Sequence, residues 1–142
     1  MMSVACKSYH ELKAGHPLRL FRSDRPEYPD GGQMRDFVYV KDCVNVMYWL
    51  LEHPEVNGIM NIGSGRARTW LDLANAVYAA MEMTPNIQFI DMPAELKGKY
   101  QYYTQAEMGW LERSGCDVRF HSLEEGVRDY IRNYLMQPNP YM

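Results

Sequence analysis

Apolar positions along the chain change their period several times, and each change marks a predicted element. Residues Val4 to Ala14 read as a helix that Gly15 stops and His16-Pro17 keeps from resuming. Leu18 to Phe21 alternates as a short strand. The stretch Arg22 to Met34 contains Pro26, Pro29, Gly31 and Gly32, which predicts a loop long enough to be functional or mobile. It delivers the chain into Phe37 to Val40, an alternating run expected to form a buried strand. Asp42 is placed to cap the next helix, whose Val44, Met47, Leu50 and Leu51 recur at helical spacing up to His53-Pro54.

Asn57-Gly58 marks a turn, Ile59 to Ile62 a further strand, and Gly63-Ser64-Gly65 its end. Thr69 to Asp72 has capping-box form ahead of a helix that aligns Leu71, Ala74, Val77 and Tyr78. Ile87 to Ile90 reads as a strand and Ala106 to Arg113 as a short helix. Ser122 to Glu125, a second capping box, opens a last helix through Val127, Tyr130, Ile131 and Tyr134 that Pro138 and Pro140 end. Strand and helix in alternation predict an α/β fold with an open layer, in a single domain over 1–142.

Composition narrows the functions available. The chain has 142 residues, 46% hydrophobic and 23% charged, which is enough to bury a core and far from disordered compositions. A net charge of -3 argues against general nucleic-acid binding. A local cluster of Arg19, Arg22, Arg25 and Arg35 still suits a small anion. Cys6, Cys43 and Cys116 have no metal-ligand spacing and form no disulfide framework, so the expected compartment is the cytoplasm. No run has the length of a membrane span.

The chemistry concentrates at Arg35-Asp36-Phe37-Val38-Tyr39-Val40-Lys41-Asp42. A guanidinium fixed beside a strand can hold a phosphate or carboxylate through two parallel charge-assisted bonds. A plain surface ion pair between Arg35 and Asp36 is the alternative. Asn61-Ile62-Gly63-Ser64-Gly65 resembles a strand end opening into a glycine turn, where bare N–H groups can approach a ligand or simply make a tight connection. The Tyr100 to Tyr103 cluster suits a sugar or base, or else an aromatic core. Glu124 and Glu125 favour a helix dipole and receive no catalytic role.

The pairing of the Arg35 to Asp42 block with Asn61 to Gly65 resembles the carboxyl-terminal half of the extended short-chain dehydrogenase/reductases, the superfamily of nucleotide-sugar epimerases and dehydratases. Leu96 to Ala106, with Asp30-Gly31-Gly32-Gln33-Met34, is similar to its ADP-glycero-manno-heptose 6-epimerase branch. The resemblance implies a small mixed α+β substrate-binding domain with the Rossmann domain largely absent. It implies NADP as the cofactor of the full-length enzyme, with none expected on this chain alone, and an ADP-sugar as substrate. It also implies homo-oligomers in the full-length family and a place in lipopolysaccharide precursor synthesis, with no membrane or nucleic-acid partner. Arg35 falls at a phosphate-contacting arginine and Tyr100 at a substrate-contacting tyrosine. Phe21, Arg22, Ser23 and Asp24 fall on a substrate-touching segment, and Lys7 replaces a substrate-binding histidine. The glycine-rich fingerprint and the catalytic Tyr-x-x-x-Lys are expected to lie outside this chain, which is then inactive by itself. The apolar face of the helix Val4 to Ala14 is expected to drive association. A UDP- or GDP-sugar enzyme and a non-catalytic nucleotide-sugar module are the alternatives.

Overall fold

The computed structural model describes residues 2–139. Its elements are helix α1 (Val4–Lys13), strands β1 (Leu18–Phe21) and β2 (Met34–Asp36), helix α2 (Val40–Glu52) and strand β3 (Ala67–Thr69). Helix α3 (Trp70–Ala80), strand β4 (Ile87–Ile90), and helices α4 (Gly109–Arg113) and α5 (Leu123–Tyr130) follow, and a π-helical turn (Ile131–Leu135) continues α5.

The core lies where α1, α3 and α5 pack together, around Tyr9, Leu12, Leu73, Val77, Tyr78 and Val127. Both expected capping boxes form, Thr69 with Asp72 on α3 and Ser122 with Glu125 on α5, so each helix starts where its side chains satisfy the first free N–H groups. Ser3 caps α1, and Gly15, at φ 81°, ends it in a left-handed turn that a side chain would strain. The Tyr78 phenol is 1% exposed; it donates to Asn86 O and accepts from Leu18 N, joining the starts of β4 and β1.

The sheet is smaller and more divided than the sequence predicts. β1 pairs with β4 in parallel, from Leu18 opposite Ile87 to Phe21 opposite Ile90. β2 pairs with β3 antiparallel, Arg35 standing opposite Arg68. Neither Phe37 to Val40 nor Ile59 to Ile62 is a strand. The pairing instead falls on Met34–Asp36, and Ile59 is 99% exposed with no neighbouring strand to take its ladder bonds. Helix α4 begins at Gly109, three residues later than expected. Pro140, expected to end the last helix, lies outside the described residues.

Helix α2 differs most. Tyr39 occupies the N-cap position, and Asp42 sits inside the first turn, 1% exposed, where it accepts from His121 N at 2.9 Å and pairs with His121 Nδ1 at 2.6 Å. That anchor turns Val46 and Trp49 inward. Val44, Met47 and Leu51, part of the expected core stripe, face outward with Val40 and Tyr48. The face of α1 expected to be open carries Cys6, Tyr9 and Leu12 and is buried against α3 and the π-helical turn, so the exposed apolar stripe belongs to α2.

A polar latch also joins α2 to α5. Asp129 accepts from Tyr39 Oη at 2.5 Å and from Lys41 Nζ at 2.6 Å. The Lys41 ammonium, then the Tyr39 hydroxyl, hold the Asp129 carboxyl down at about 2, below its ordinary 3.8. A depressed carboxyl stabilises the fold above its unfolded value and stops doing so as pH falls through the folded one. The latch is therefore fully effective above about pH 4 and is lost toward about pH 2. Because Lys41 is 43% exposed, solvent screening keeps the contribution modest. Asp129→Asn should lower the urea midpoint at pH 5 and converge with the parent near pH 2. A difference that stays constant with pH would exclude this account.

Candidate functional site

A cavity of about 410 Å³ opens between α1, the β1–β4 pair and the start of α3. Its apolar wall is made by Leu18, Leu20, Leu73, Ala74 and Ile90, and its aromatic side by Phe21, Trp70 and Tyr100. The Phe21 and Tyr100 rings meet edge to face, 6.0 Å between centroids. Lys7 and Arg19 stand on the lining, and the Arg35 guanidinium lies 5.2 Å from the Tyr100 ring centroid. Among the described residues no carboxylate pairs with Lys7, Arg19 or Arg35; Glu11, the acid in the lining, pairs with His16 instead. Three cations beside one apolar cleft form an anion-attracting rim. Burial pushes the Tyr100 phenol above its ordinary value, with Arg35 and Trp70 opposing in part, so its hydroxyl stays a donor at neutral pH.

Local structure explains how Arg35 is aimed. Its neighbour Asp36 does not pair with it. The Asp36 carboxylate accepts from Ser64 N at 2.7 Å, Ser64 Oγ at 2.5 Å, Gly65 N at 3.0 Å and Ala106 N at 2.9 Å. Arg35 Nη1 donates to its neighbour's carbonyl, Met34 O, at 2.7 Å, and the guanidinium packs over Tyr100. The surface ion pair weighed from sequence is thus excluded. So is the glycine turn as a ligand cradle, because the N–H groups of Ser64 and Gly65 are already taken by Asp36.

The structure brings Lys7, Phe21 and Tyr100 to one cavity with Arg35 beside it, and engages the rest of the predicted segment elsewhere. Arg22 pairs with Asp91 at 3.0 Å, and Ser23 N donates to Asp30 at 2.8 Å. Asp24 and the Tyr102 hydroxyl hydrogen-bond, which lowers the Asp24 pKa. These bonds hold the long loop against Tyr102, itself only 4% exposed, so Tyr102 serves the fold while Tyr100 faces the cavity. The chain does contain the Tyr-x-x-x-Lys spacing that was expected to be absent, at Tyr9 and Lys13. Tyr9 is 4% exposed in the core, so that spacing reflects one face of α1 and not an open catalytic pair. Sequence reasoning missed Gln33 and Trp70. Gln33 is 1% exposed, with Nε2 3.4 Å from Arg22 O, and its carbonyl accepts from Trp70 N at 3.1 Å.

Residues 2–63 match the sequence family described as the NAD dependent epimerase/dehydratase family. Among solved structures, the chain is similar to a Thermus thermophilus UDP-glucose 4-epimerase complexed with NAD, with a TM-score of 0.69 and 24% identity over 88% of this chain and 37% of that one. It is also similar to the Helicobacter pylori ADP-L-glycero-D-manno-heptose-6-epimerase, at TM-score 0.68 and 20% identity, covering 94% of this chain and 38% of that one. The chain shares the mixed helix-and-strand fold of these epimerases. A curated relative from Nitratidesulfovibrio vulgaris strain Hildenborough, 56% identical over all 142 residues, is named ADP-L-glycero-D-manno-heptose-6-epimerase. The chain spans 44% of that relative's length. No helix among the described residues is long and apolar enough to cross a membrane.

Proposed function

We propose that residues 1–142 are the substrate-gripping part of an NADP-dependent ADP-glycero-manno-heptose 6-epimerase, a cytoplasmic and homo-oligomeric isomerase of lipopolysaccharide heptose precursors. The observation that carries this reading is the cavity bounded by Phe21, Trp70 and Tyr100, with Lys7, Arg19 and Arg35 around it and no carboxylate paired to them among the described residues. Its apolar wall suits the flat nucleoside and its cations the diphosphate. Holding the nucleotide there lets binding energy far from the reacting carbon position the sugar for chemistry. NADP would take and return the hydride of the epimerisation. The described glycine turn offers it no phosphate cradle, so hydride transfer belongs in this reading to a Rossmann domain and not to this chain, which alone is inactive.

Titration calorimetry of the 142-residue chain tests the assignment. ADP should bind about tenfold tighter than UDP or GDP. Equal affinity for all three would point to another nucleotide-sugar enzyme, and no binding by any would sink the nucleotide site itself.

A further inference from the structure

Two segments far apart in the chain supply the Phe21 and Tyr100 rings of the cavity. Phe21 ends β1, and Tyr100 lies in the irregular stretch between β4 and α4. Their rings meet edge to face at 6.0 Å. The Phe21 carbonyl accepts from Gly31 N at 3.1 Å, so the place of Phe21 depends on how the loop between them, residues 22–30, is folded.

Tyr102 ties that loop to the Tyr100 segment. Its backbone is fixed along β2, where Met34 N donates to Tyr102 O at 2.8 Å and Thr104 N to Met34 O at 3.3 Å. Its ring stands 5.9 Å from the Tyr100 ring, 4.9 Å from the Tyr28 ring and 4.6 Å from the Arg25 guanidinium. Its hydroxyl accepts from Asp24 N at 2.9 Å and donates to the Asp24 carboxylate. One side chain thus holds Asp24, Arg25 and Tyr28 of the loop and packs on the cavity tyrosine, without lining the cavity itself. Asp24 is exposed, so this clasp can open and close while the core of α1, α3 and α5 stays folded.

We propose that Tyr102 is a positioning residue of the nucleotide site: by clasping the loop through Asp24 it sets the spacing of Phe21 and Tyr100 before the nucleoside enters. This rests on the nucleotide reading above and deepens it. A loop that has to be ordered at the moment of binding subtracts that ordering from the affinity, and the clasp removes the cost in advance. The phosphates are left to Lys7, Arg19 and Arg35, which stand on α1, β1 and β2. Coupling of this kind is reciprocal, so a clasp that strengthens nucleotide binding is strengthened by the nucleotide by the same factor.

The test uses the 142-residue chain with ADP and inorganic pyrophosphate as probes, well below the melting temperature. Tyr102→Phe keeps the ring and removes the hydroxyl. It should weaken ADP about five- to tenfold and leave pyrophosphate affinity unchanged, whereas a purely structural role would move neither in the folded variant. In parallel, hydrogen exchange at the Asp24 N–H of the parent chain should slow about five- to tenfold when ADP saturates it, and stay unchanged with pyrophosphate. Unchanged ADP affinity in the folded variant, an equal loss for both probes, or an Asp24 N–H that ADP does not slow overturns the proposal. A parent chain that does not bind ADP instead overturns the nucleotide reading on which it stands. The exchange is read on the unsubstituted chain, so the result survives a variant that folds poorly.

Discussion

Replacing Asp36 with alanine is expected to lower the melting temperature by roughly 10 °C. One carboxylate accepts from three backbone N–H groups and a hydroxyl, all contributed by residues far along the chain at Ser64, Gly65 and Ala106. Hydrogen bonds to a charged acceptor contribute more than neutral ones, and three peptide donors would lose their partner together, at a cost of about 3 kcal/mol. The packing leaves no room for repair. A Cβ on Gly63 would lie 2.5 Å from Ala106 Cβ and 2.8 Å from Asp36 Oδ2, so the turn approaches the carboxylate closely because its residue has no side chain. Gly63→Ala should therefore destabilise the same junction. Asp36→Asn should recover only part of the loss, since it keeps one acceptor oxygen and turns an amide donor toward N–H groups. Thermal unfolding by circular dichroism measures all three. An Asp36→Ala variant melting within about 2 °C of the parent would show that water replaces the carboxylate without cost.

The helices were legible because their signals are local. Thr69 with Asp72 and Ser122 with Glu125 form the boxes that their spacing predicts, and Gly15 ends α1 where a left-handed residue is needed. Strands depend on partners, and there the reading held for Leu18 to Phe21 and Ile87 to Ile90, which pair with each other, and failed for the other two. Phe37 to Val40 and Ile59 to Ile62 alternate well enough, but alternation states only that a segment could bury one face, and no strand lies beside either. Helix α2 shows a second limit. It is apolar on several sides, so periodicity cannot choose which stripe turns inward. The choice is made by Asp42 on His121, and by the Trp49 ring stacked on His53 at 4.1 Å, contacts with no trace in the spacing of Val44, Met47 and Leu51. At the site, Arg35 and Tyr100 stood out through a resemblance and a charged residue beside an apolar run. Trp70 did not, because a tryptophan at the start of an apolar helix reads as core. Only its place on the cavity lining in three dimensions separates it from one.

The largest effect expected on binding comes from Arg35. Arg35→Ala should weaken ADP about 10- to 100-fold, corresponding to one or two charge-assisted bonds to a phosphate. Its melting temperature should stay close to that of the parent, because the guanidinium's protein contacts are its neighbour's carbonyl, Met34 O, and the Tyr100 ring. That separation distinguishes two residues adjacent in sequence: Asp36 holds the fold, and Arg35 is left over for a ligand. Arg35→Lys keeps the charge but gives up the planar fork and the packing over Tyr100, so it should recover less than half of the lost binding free energy. Salt supplies an independent check. If Lys7, Arg19 and Arg35 act together on a diphosphate, ADP affinity should fall as ionic strength rises, and the dependence should be shallower in Arg35→Ala. Titration calorimetry at two salt concentrations reads both quantities. An alanine variant that binds ADP within twofold of the parent, with the same salt dependence, would remove Arg35 from the site and leave the anion rim to Lys7 and Arg19.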